Sequence, residues 1–382
     1  MRAHAFAYVA GGAGREQTMT ANRQAFDRYK IIPRMLRDVS SRDLSGSLFG
    51  HALPAPVLLA PIGVLELAHP AADLAVARAA ADAGIPMIFS NQASVNMEAC
   101  AAEMGAAPRW FQLYWSKSDE LVQSLVQRAE ACGCSAIVVT LDTTLLGWRT
   151  RDLDLAYLPF LRGKGIAQYV SDPVFRKLMH DFTPVRTKKT INFHTLHTLL
   201  QMVRAYPGSF LKNLRSGEAV AAVQFFISTY SRPSLTWEDL RFLRGITRLP
   251  IVLKGILHED DARQAADHGV DGVIVSNHGG RQVDGAVGTA EVLPGIAGAV
   301  GHQLTVMADS GIRSGADIFK ALALGAQAVC IGRPYVYGLA LKGEAGVASV
   351  IRNMLAELDL TMGLAGCKCI REINRDALAG SL

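Results

Sequence analysis

Short apolar segments rich in β-branched residues recur along the chain, and most are separated by alanine-rich segments of helix length. The apolar positions are nearly continuous rather than alternating, which is typical of strands buried on both faces of a parallel sheet. The pattern predicts eight strands, at residues 57–64, 87–91, 110–114, 137–142, 251–255, 273–277, 305–309 and 328–332.

The segments between these strands have the periodicity of amphipathic helices, as at residues 71–83 and 260–268. Several of them end at a glycine, namely Gly84, Gly269 and Gly325. Glycine is the residue that most readily caps a helix in the left-handed conformation. Eight such units predict an α/β fold, a closed (β/α)8 TIM barrel in one domain over residues 1–382. A dinucleotide-binding sheet is disfavoured because A-P-I-G-V-L-E, not G-x-G-x-x-G, ends the first strand.

One interval is far longer than an ordinary strand-helix connection, and it follows the fourth strand. We predict an inserted excursion at residues 150–235, in which basic side chains outnumber acidic ones. The basic residues are Arg176, Lys177, Arg186, Lys188, Lys189, Arg204, Lys212 and Arg215. An active-site lid with a subunit contact is one interpretation of the insertion. A peripheral membrane anchor is the other, because residues 195–206 are amphipathic and basic.

Composition narrows the classes of partner. Lys and Arg total 39 against 34 Asp and Glu, and this mild excess is dispersed, so we expect no nucleic acid partner. The opening M-R-A-H-A-F-A-Y-V-A is not typical of a secretory signal, and we expect a cytoplasmic protein. The six cysteines include C-x-C pairs rather than C-x-x-C, which favours free thiols and no metal site.

Polar, charged and glycine residues are concentrated where the predicted strands end. In a barrel of this kind the catalytic groups gather at the carboxyl ends of the strands. In chain order these ends carry Pro61, Ile62, Gly63, Ser90, Gln112, Tyr114, Thr140, Asp142, Lys254, Ser276, His278, Arg281, Asp309, Gly311, Arg313, Gly332 and Arg333. The last two ends predict a phosphate site, because barrels often bind phosphate there and arginine donates to it bidentately.

The sixth strand ends in S-N-H-G-G-R-Q, which contains His278 and Arg281. An imidazole oriented by a carboxylate such as Asp142 is a competent general base near neutral pH, and Arg281 can hold a substrate carboxylate. Lys254 at the fifth strand end allows three interpretations. It is a Schiff-base amine, an electrostatic partner for an anion, or a lysine that extends to the surface.

These motifs together resemble a known family. S-N-H-G-G-R-Q, with K-G-I before it and D-S-G-I-R and I-G-R after it, resembles the FMN-dependent L-2-hydroxy-acid oxidase/dehydrogenase family. The similarity extends from A-Y-V-A-G-G-A-G to I-R-E-I, and Y-L-P-F-L-R-G looks closest to the lactate 2-monooxygenase branch. The resemblance implies FMN, a lactate-like 2-hydroxy acid, oxygen as electron acceptor, and a homotetramer or octamer. It also favours the lid over the membrane anchor.

The resemblance also implies roles for individual residues. His278 is implied as the catalytic base, with Asp142 as its partner. The residues implied to bind substrate are Tyr8, Tyr114, Arg149 and Arg281. Those implied to bind the cofactor are Pro61, Ile62, Gly63, Ser90, Gln112, Thr140, Lys254, Ser276, Asp309, Gly311, Arg313, Gly332 and Arg333. Lys254 is placed by the N1/C2 edge of the flavin, which favours its electrostatic role because reduced flavin is negatively charged there.

Three positions depart from relatives in ways that affect the pocket. Gln92 stands where several relatives carry Trp, and Thr144 stands where an aromatic residue is expected, so we expect a larger or more polar pocket. Gly63 stands where oxidases often have Ala, and we expect it to leave space near the flavin. The competing functions are a mandelate-type dehydrogenase linked to quinone or cytochrome, and a phosphate-binding aldolase that uses Lys254 as a Schiff-base amine.

Overall fold

Eight parallel strands close into a barrel, each pairing with the next one along the chain and the eighth with the first. The computed structural model of the protein describes residues 1–183 and 192–379. The barrel strands, numbered first to eighth below, are Val57–Leu59, Met87–Phe89, Arg109–Leu113, Ile137–Thr140, Ile251–Ile256, Gly272–Val275, Thr305–Ala308 and Ala328–Ile331. The predicted (β/α)8 barrel is therefore confirmed. Most strands end earlier than predicted because the polar and glycine residues that follow them leave the ladder.

Helices cover the outside of the barrel. The helices that follow the strands are Ala72–Ala83, Met97–Met104, Asp119–Ala131, Leu240–Ile246, Glu259–Asp267, Thr289–Val300, Gly315–Ala323 and Arg333–Ala365. The last comprises two helices joined at Lys342 and Gly343, which have non-helical backbone angles. Gly84 caps its helix at φ +66°, which confirms the predicted glycine stop, because glycine has no Cβ to clash in this conformation.

Additional elements precede the barrel, follow it or lie in its loops. Two helices, Ala3–Ala10 and Gln17–Arg28, precede a hairpin formed by Gly46–Leu48 and His51–Leu53. The short strand Lys30–Ile31 pairs antiparallel with Leu378–Ala379. Single 3₁₀ turns occupy Leu65–Leu67, Trp237–Asp239, Ile370–Glu372 and Arg375–Ala377.

The insertion after the fourth strand is helical. Its described elements are Thr150–Asp154, Pro159–Arg162, Ala167–Val170, Pro173–Asp181, Phe193–Ala205, Phe210–Ser216 and Glu218–Thr229. Aromatic rings hold it together, and the ring of Tyr169 lies 4.8 Å from that of Phe226 and 5.6 Å from that of Phe175. The predicted basic residues Arg186, Lys188 and Lys189 lie outside the described residues.

The amphipathic segment predicted at residues 195–206 is the helix Phe193–Ala205. Met202 and Val203 on this helix are buried, at 9% and 2% exposure, so part of its apolar face packs inside the chain. Across the described ranges, no helix is both long enough and apolar enough to span a bilayer.

The interior of the barrel is filled by side chains, so the barrel is a packed core rather than a channel. The buried residues that share this interior are Leu58, Ile88, Trp110, Val138, Val252, Ile274, Met307 and Cys330. Phe49, in the hairpin, packs against Trp110 at 5.5 Å between ring centroids. It also lies 3.2 Å from where a Cβ on Gly272 would be, so the hairpin covers the amino ends of the strands. The carboxyl ends remain available for a site.

Replacing Trp110 by alanine tests this packing. Trp110 is 3% exposed, and we expect Trp110→Ala to lower the free energy of unfolding by about 3–5 kcal/mol through lost burial and a residual cavity. Urea denaturation measures the change. The control is Leu364→Ala, at a leucine 73% exposed on the helix Arg333–Ala365, for which we expect a change within about 0.5 kcal/mol. Equal effects of the two substitutions would contradict the packed interior.

Candidate active site

A cavity of about 250 Å³ lies at the carboxyl ends of the strands, and each of the eight strands contributes to it through its carboxyl half or the loop that follows. The predicted site residues that line it are Tyr8, Pro61, Ile62, Gly63, Tyr114, Arg149, Lys254, His278, Arg281, Asp309, Gly311, Arg313, Gly332 and Arg333. The other predicted site residues contact this lining or form a polar row of their own at the strand ends. They are Ser90, Gln112, Thr140, Asp142 and Ser276.

His278 and Asp142 form a direct pair. The Nδ1 atom of His278 lies 2.8 Å from the Oδ1 atom of Asp142. Since a carboxylate only accepts hydrogen bonds, this contact assigns the proton to Nδ1 and leaves Nε2 as an acceptor. The backbone of His278 is left-handed, at φ +57°, and its N–H donates to the Oγ atom of Ser276 at 3.1 Å. A strained histidine backbone held in this way is typical of a functional position.

The charge states of the pair follow from their surroundings. Burial lowers the pKa of His278 below its ordinary value, and the positive charges of Lys254 and Arg149 lower it further against the opposing effect of Asp142. Burial alone would raise the pKa of Asp142, but the contact with His278 and the charge of Lys254 outweigh it, so that pKa lies below its ordinary value. At neutral pH the imidazole is therefore neutral and the carboxylate is ionised, the combination that a general base requires.

Lys254 is a buried cation. Its Nζ atom lies 3.0 Å from the Oδ2 atom of Asp309 and donates to the Oγ atom of Ser276 at 2.7 Å, and the side chain is 4% exposed. Burial opposes the charged form, but Asp309 and Asp142 outweigh it and raise the pKa of Lys254 above its ordinary value. Because a Schiff base needs a neutral amine, the geometry favours the electrostatic role among the three predicted for Lys254.

The ammonium group also organises the backbone of the sixth strand end. Ser276 joins Lys254 to the N–H of His278, as described above. On the other side, Asp309 accepts a hydrogen bond from the hydroxyl of Ser310 at 2.8 Å, and that hydroxyl accepts one from the N–H of Gly279 at 2.8 Å. Lys254 is therefore linked to the backbone of His278 and Gly279 from both sides.

Two guanidinium groups lie close together on one side of the cavity. Arg281 donates to the carbonyl oxygens of Tyr8 and Gly11, at 2.7 Å each, and lies 5.1 Å from the centre of the Tyr8 ring. Arg149 is 7% exposed and donates to the carbonyl oxygen of Arg281 at 3.3 Å. Burial and the nearby charge of Arg149 lower the pKa of Arg281 to about 9. Within the described part of the chain neither arginine pairs with a carboxylate, so an anionic ligand group would stabilise both.

Two tyrosines face the same centre. Tyr8, on the helix Ala3–Ala10, is 7% exposed, and Tyr114, after the third strand, is 8% exposed. Burial and the negative charge of Asp142 raise the pKa of Tyr114 to about 12. The hydroxyl of Tyr114 therefore stays protonated at neutral pH and can donate a hydrogen bond to a substrate oxygen.

Gln282 is a site residue to which sequence reasoning assigned no role. Its amide nitrogen donates to the carbonyl oxygens of Asp142 and Leu145, the latter at 2.8 Å. Its amide oxygen accepts from the N–H of Gly147 at 3.2 Å and from Arg149 at 3.3 Å. Gln282 thereby joins the loops after the fourth and sixth strands. Its place at the end of S-N-H-G-G-R-Q is the signal that pointed to it.

Asn22 is a second residue that the sequence did not reveal. Its side-chain amide and that of Asn277 exchange two hydrogen bonds, at 2.8 and 2.7 Å, across a separation of 255 residues. Asn22 is 2% exposed and joins the helix Gln17–Arg28 to the sixth strand end. No local pattern in the sequence indicates such a partner.

The end of the cavity at which the sequence predicts a phosphate site is rich in positive charge. Arg333 donates to the carbonyl oxygens of Val9, Gly11 and Gly279 at 2.9 to 3.0 Å. Burial and the neighbouring charge of Arg313 lower the pKa of Arg333 to about 10. Mutual repulsion of these cations would be relieved by a phosphate dianion, so this end of the cavity fits the phosphate of the predicted FMN.

Two further residues, Arg23 and Asp309, contribute to the region around the predicted phosphate site. Arg23, which sequence reasoning missed, donates to the carbonyl oxygen of Gly311 and to Asp317, the latter at 2.7 Å. Asp309, which the resemblance implies binds the cofactor, has its carboxylate in contact with Lys254 and Ser310. Its negative charge suits a hydroxyl donor better than a phosphate oxygen.

A row of buried polar side chains crosses the ends of the second, third and fourth strands. The hydroxyl of Ser90 donates to the amide oxygen of Gln112 at 3.1 Å, and the amide nitrogen of Gln112 donates to the hydroxyl of Thr140 at 3.0 Å. All three are at most 4% exposed. Buried donors and acceptors in an otherwise apolar barrel match a flat polar ring such as that of a flavin.

The three departures from relatives have different outcomes. Gln92 lines the cavity, as expected, whereas the carbonyl of Thr144 accepts from Ser231 at 2.6 Å and Thr144 lies outside the lining. The space expected at Gly63 is already filled. A Cβ there would lie 3.0 Å from the carbonyl oxygen and 3.1 Å from the Cβ of Gln92. Gly63 therefore permits close packing of two loops.

Comparison with known proteins identifies what this arrangement is similar to. A sequence model of the family described as FMN-dependent dehydrogenase matches residues 1–380. An FMN-dependent alpha-hydroxy acid dehydrogenase of Penicillium citrinum is 42% identical over 99% of this chain and 87% of its own length. An L-lactate oxidase of Lysinibacillus sphaericus is 41% identical over 96% of this chain and 86% of its own. A solved mandelate oxidase with 3,3-difluoro-2-hydroxy-3-phenylpropionic acid matches with a TM-score of 0.79 and 36% identity, over 100% of this chain and 95% of the other.

Removing the buried charge of Lys254 tests its place at the centre of the site. We expect Lys254→Met to lower the free energy of unfolding by about 3–5 kcal/mol, because Asp309 is left buried without its partner. Urea denaturation measures the loss, and the double variant Lys254→Met/Asp309→Leu is expected to recover part of it. The matched control is Lys177→Met, whose side chain is 67% exposed and pairs with Glu120, for which we expect less than about 1 kcal/mol. Similar losses in Lys254→Met and Lys177→Met would contradict the buried pair.

Proposed function

The chain belongs to the FMN-dependent dehydrogenase family, and from this premise we propose that it oxidises an L-2-hydroxy acid to the 2-keto acid with oxygen as electron acceptor. FMN-dependent oxidation of a 2-hydroxy acid is the activity common to these relatives. The L configuration, the acceptor and the residue roles are our proposal.

One observation carries the proposal. A neutral imidazole paired with a carboxylate at 2.8 Å lines the same cavity as two adjacent guanidinium groups that lack a carboxylate partner among the described residues. A 2-hydroxy acid needs both features, a base for the proton that it loses and cations for its carboxylate. When bound, FMN supplies the acceptor for two electrons.

The protein's own groups divide the remaining work. Arg149 and Arg281 bind the substrate carboxylate and hold the α-carbon in place, which is a proximity contribution. Tyr8 and Tyr114 donate hydrogen bonds to substrate oxygens. His278 takes a proton at Nε2, and the carboxylate bonded to its Nδ1 stabilises the imidazolium that results.

We assign the cofactor roles from the resemblance, supported by the positions of these residues at the strand ends. Lys254 stabilises negative charge at the N1/C2 edge of the flavin ring, as the resemblance implies, and Asp309 accepts from a ribityl hydroxyl. The residues proposed to contact the ring are Pro61, Ile62, Gly63, Ser90, Gln112, Thr140 and Ser276. Those proposed to hold the phosphate are Gly311, Arg313, Gly332 and Arg333.

The electron acceptor and the fate of the keto acid are finer proposals. Oxygen is supported by the names of the lactate and mandelate oxidases. Release of peroxide with the keto acid is one outcome, and decarboxylation by that peroxide is the other, supported by Y-L-P-F-L-R-G at residues 157–163. A membrane-linked dehydrogenase is less well supported, because the helix Phe193–Ala205 buries Met202 and Val203 within the chain.

The location and assembly are proposals that rest on the resemblance. We propose a cytoplasmic protein and a homotetramer or octamer, with the insertion as a lid. Exposed apolar residues beside the site, Leu145 at 70% and Trp148 at 72%, would suit a subunit contact.

Anaerobic mixing with hydroxy acids tests the reaction. We expect glycolate, L-lactate, L-mandelate or a longer L-2-hydroxy acid to bleach the visible flavin bands of the holoenzyme, because the substrate reduces the cofactor. Admitting air and assaying hydrogen peroxide against carbon dioxide then distinguishes oxidase from monooxygenase. Flavin bands that none of these acids changes would contradict the proposed function.

The pH dependence tests the base. The pKa of His278 is below its ordinary value, so we expect the acid limb of kcat/KM to lie below about pH 6.5. Asp142 favours the charged imidazole, so Asp142→Asn is expected to move this limb to lower pH and to reduce kcat about 10²- to 10⁴-fold. Asp154→Asn, at an exposed carboxylate on the helix Thr150–Asp154, serves as the control and is expected to change neither. An unmoved acid limb in Asp142→Asn would contradict the assignment of His278 and Asp142.

A further inference from the structure

The cavity continues from the reacting centre along a wall of aromatic rings. The Tyr8 ring lies 6.4 Å from that of Phe160, which lies 5.7 Å from that of Phe226, which in turn lies 5.0 Å from that of Tyr230. All four rings line the cavity. Because Arg281 lies over the Tyr8 ring, the wall begins at the arginines that bind the carboxylate.

Aliphatic side chains extend the apolar lining. Leu146, Leu161 and Ile227 line the same cavity and are 44%, 45% and 44% exposed. An aliphatic side chain that faces a cavity and keeps this much exposed surface gains free energy when an apolar ligand covers it. The three residues come from the loop after the fourth strand and from two separate elements of the insertion, so they form a lining rather than a single exposed turn.

The insertion contributes no charged side chain to the cavity among the described residues. Within the described ranges, the residues that the insertion contributes to the lining are Leu158, Phe160, Leu161, Phe226, Ile227 and Tyr230, and none of them is ionised at neutral pH. Arg149, Lys254, His278 and Arg281 belong to the barrel and its loops. A ligand that satisfies both sides has a carboxylate at one end and a hydrocarbon chain at the other.

Resting on the proposed function, we propose that the preferred substrate is a 2-hydroxy acid with an extended hydrocarbon side chain, rather than glycolate or lactate. With the carboxylate held by Arg149 and Arg281 and the hydroxyl near His278, the side chain lies along Phe160 and Phe226. Its far end covers Ile227 and the two leucines. A charged side chain of equal length would lose its hydration against this wall, to which the described insertion residues contribute no charged partner.

A chain-length series on the holoenzyme tests the substrate class. The substrates are glycolate, L-lactate, L-2-hydroxybutyrate, L-2-hydroxyhexanoate and L-malate, and kcat/KM is measured for each from the rate of flavin reduction. We expect kcat/KM to rise about fourfold for each added carbon, or about 250-fold over the four carbons between glycolate and 2-hydroxyhexanoate. We expect L-malate to be the poorest of the larger acids because its second carboxylate would meet the apolar wall.

Two variants test whether the apolar wall causes the dependence of kcat/KM on chain length. Ile227→Ser is expected to lower the ratio of kcat/KM for 2-hydroxyhexanoate to that for glycolate about tenfold, because a polar side chain replaces part of the apolar contact. The ratio is independent of the fraction of active enzyme. Leu211→Ser is the matched control, since Leu211 is 63% exposed, belongs to the same insertion and does not line the cavity, and the ratio is expected to stay unchanged.

The outcomes separate this inference from the proposed function. If short acids reduce the flavin and kcat/KM is flat or falls with chain length, or if L-malate is preferred, the substrate class is wrong and hydroxy-acid oxidation stands. If Ile227→Ser leaves the ratio of kcat/KM for 2-hydroxyhexanoate to that for glycolate unchanged, the wall does not determine the preference for long side chains. If no acid of the series reduces the flavin, the proposed function itself is wrong.

Discussion

The structure of the site depends on one buried positive charge. An ammonium group only 4% exposed is tolerated because Asp309 and Ser276 are within bonding distance of it, and these partners directly follow the seventh and sixth strands. The fifth, sixth and seventh strands must therefore end at similar levels along the barrel axis. Through Ser276 and Ser310 the same charge is linked to the N–H groups of His278 and Gly279, which aims the imidazole into the cavity although its backbone is left-handed.

Around this charge the cavity has an excess of cations that only anionic ligands would balance. Arg281 and Arg333 both have a lowered pKa because burial and neighbouring arginines disfavour their charged forms. A phosphate at one end and a substrate carboxylate at the centre would each reduce the repulsion between these buried arginines. Binding of the cofactor and of the substrate would therefore both be favoured by the positive charge of the cavity. Burial, and to a smaller extent the same positive charges, lower the pKa of His278, so the imidazole is neutral and able to accept a proton.

The barrel and the insertion have different chemistry. Charged and hydrogen-bonding groups stand at the ends of strands, where a closed and densely packed sheet holds them rigidly. The insertion supplies only uncharged, mostly aromatic and aliphatic groups to the cavity among the described residues. Under the proposed function, this division would place the reaction on the rigid part of the fold and the recognition of the substrate's side chain on a part that can vary without disturbing it.

The sequence by itself determined the barrel, the order of its strands and the residues at their ends, because continuous apolar strands and glycine-ended helices are local patterns. His278, Arg281 and Lys254 could be found in this way because barrel strand ends converge on one cavity. Only the tertiary structure decided that Gln282 joins two loops, that Asn22 pairs with Asn277 across 255 residues, and that Gln92 fills the space beside Gly63. It also decided that Lys254 is a paired cation rather than a free amine. The physical reason is that contacts and charge states depend on burial and on partners distant in sequence, which no local pattern specifies.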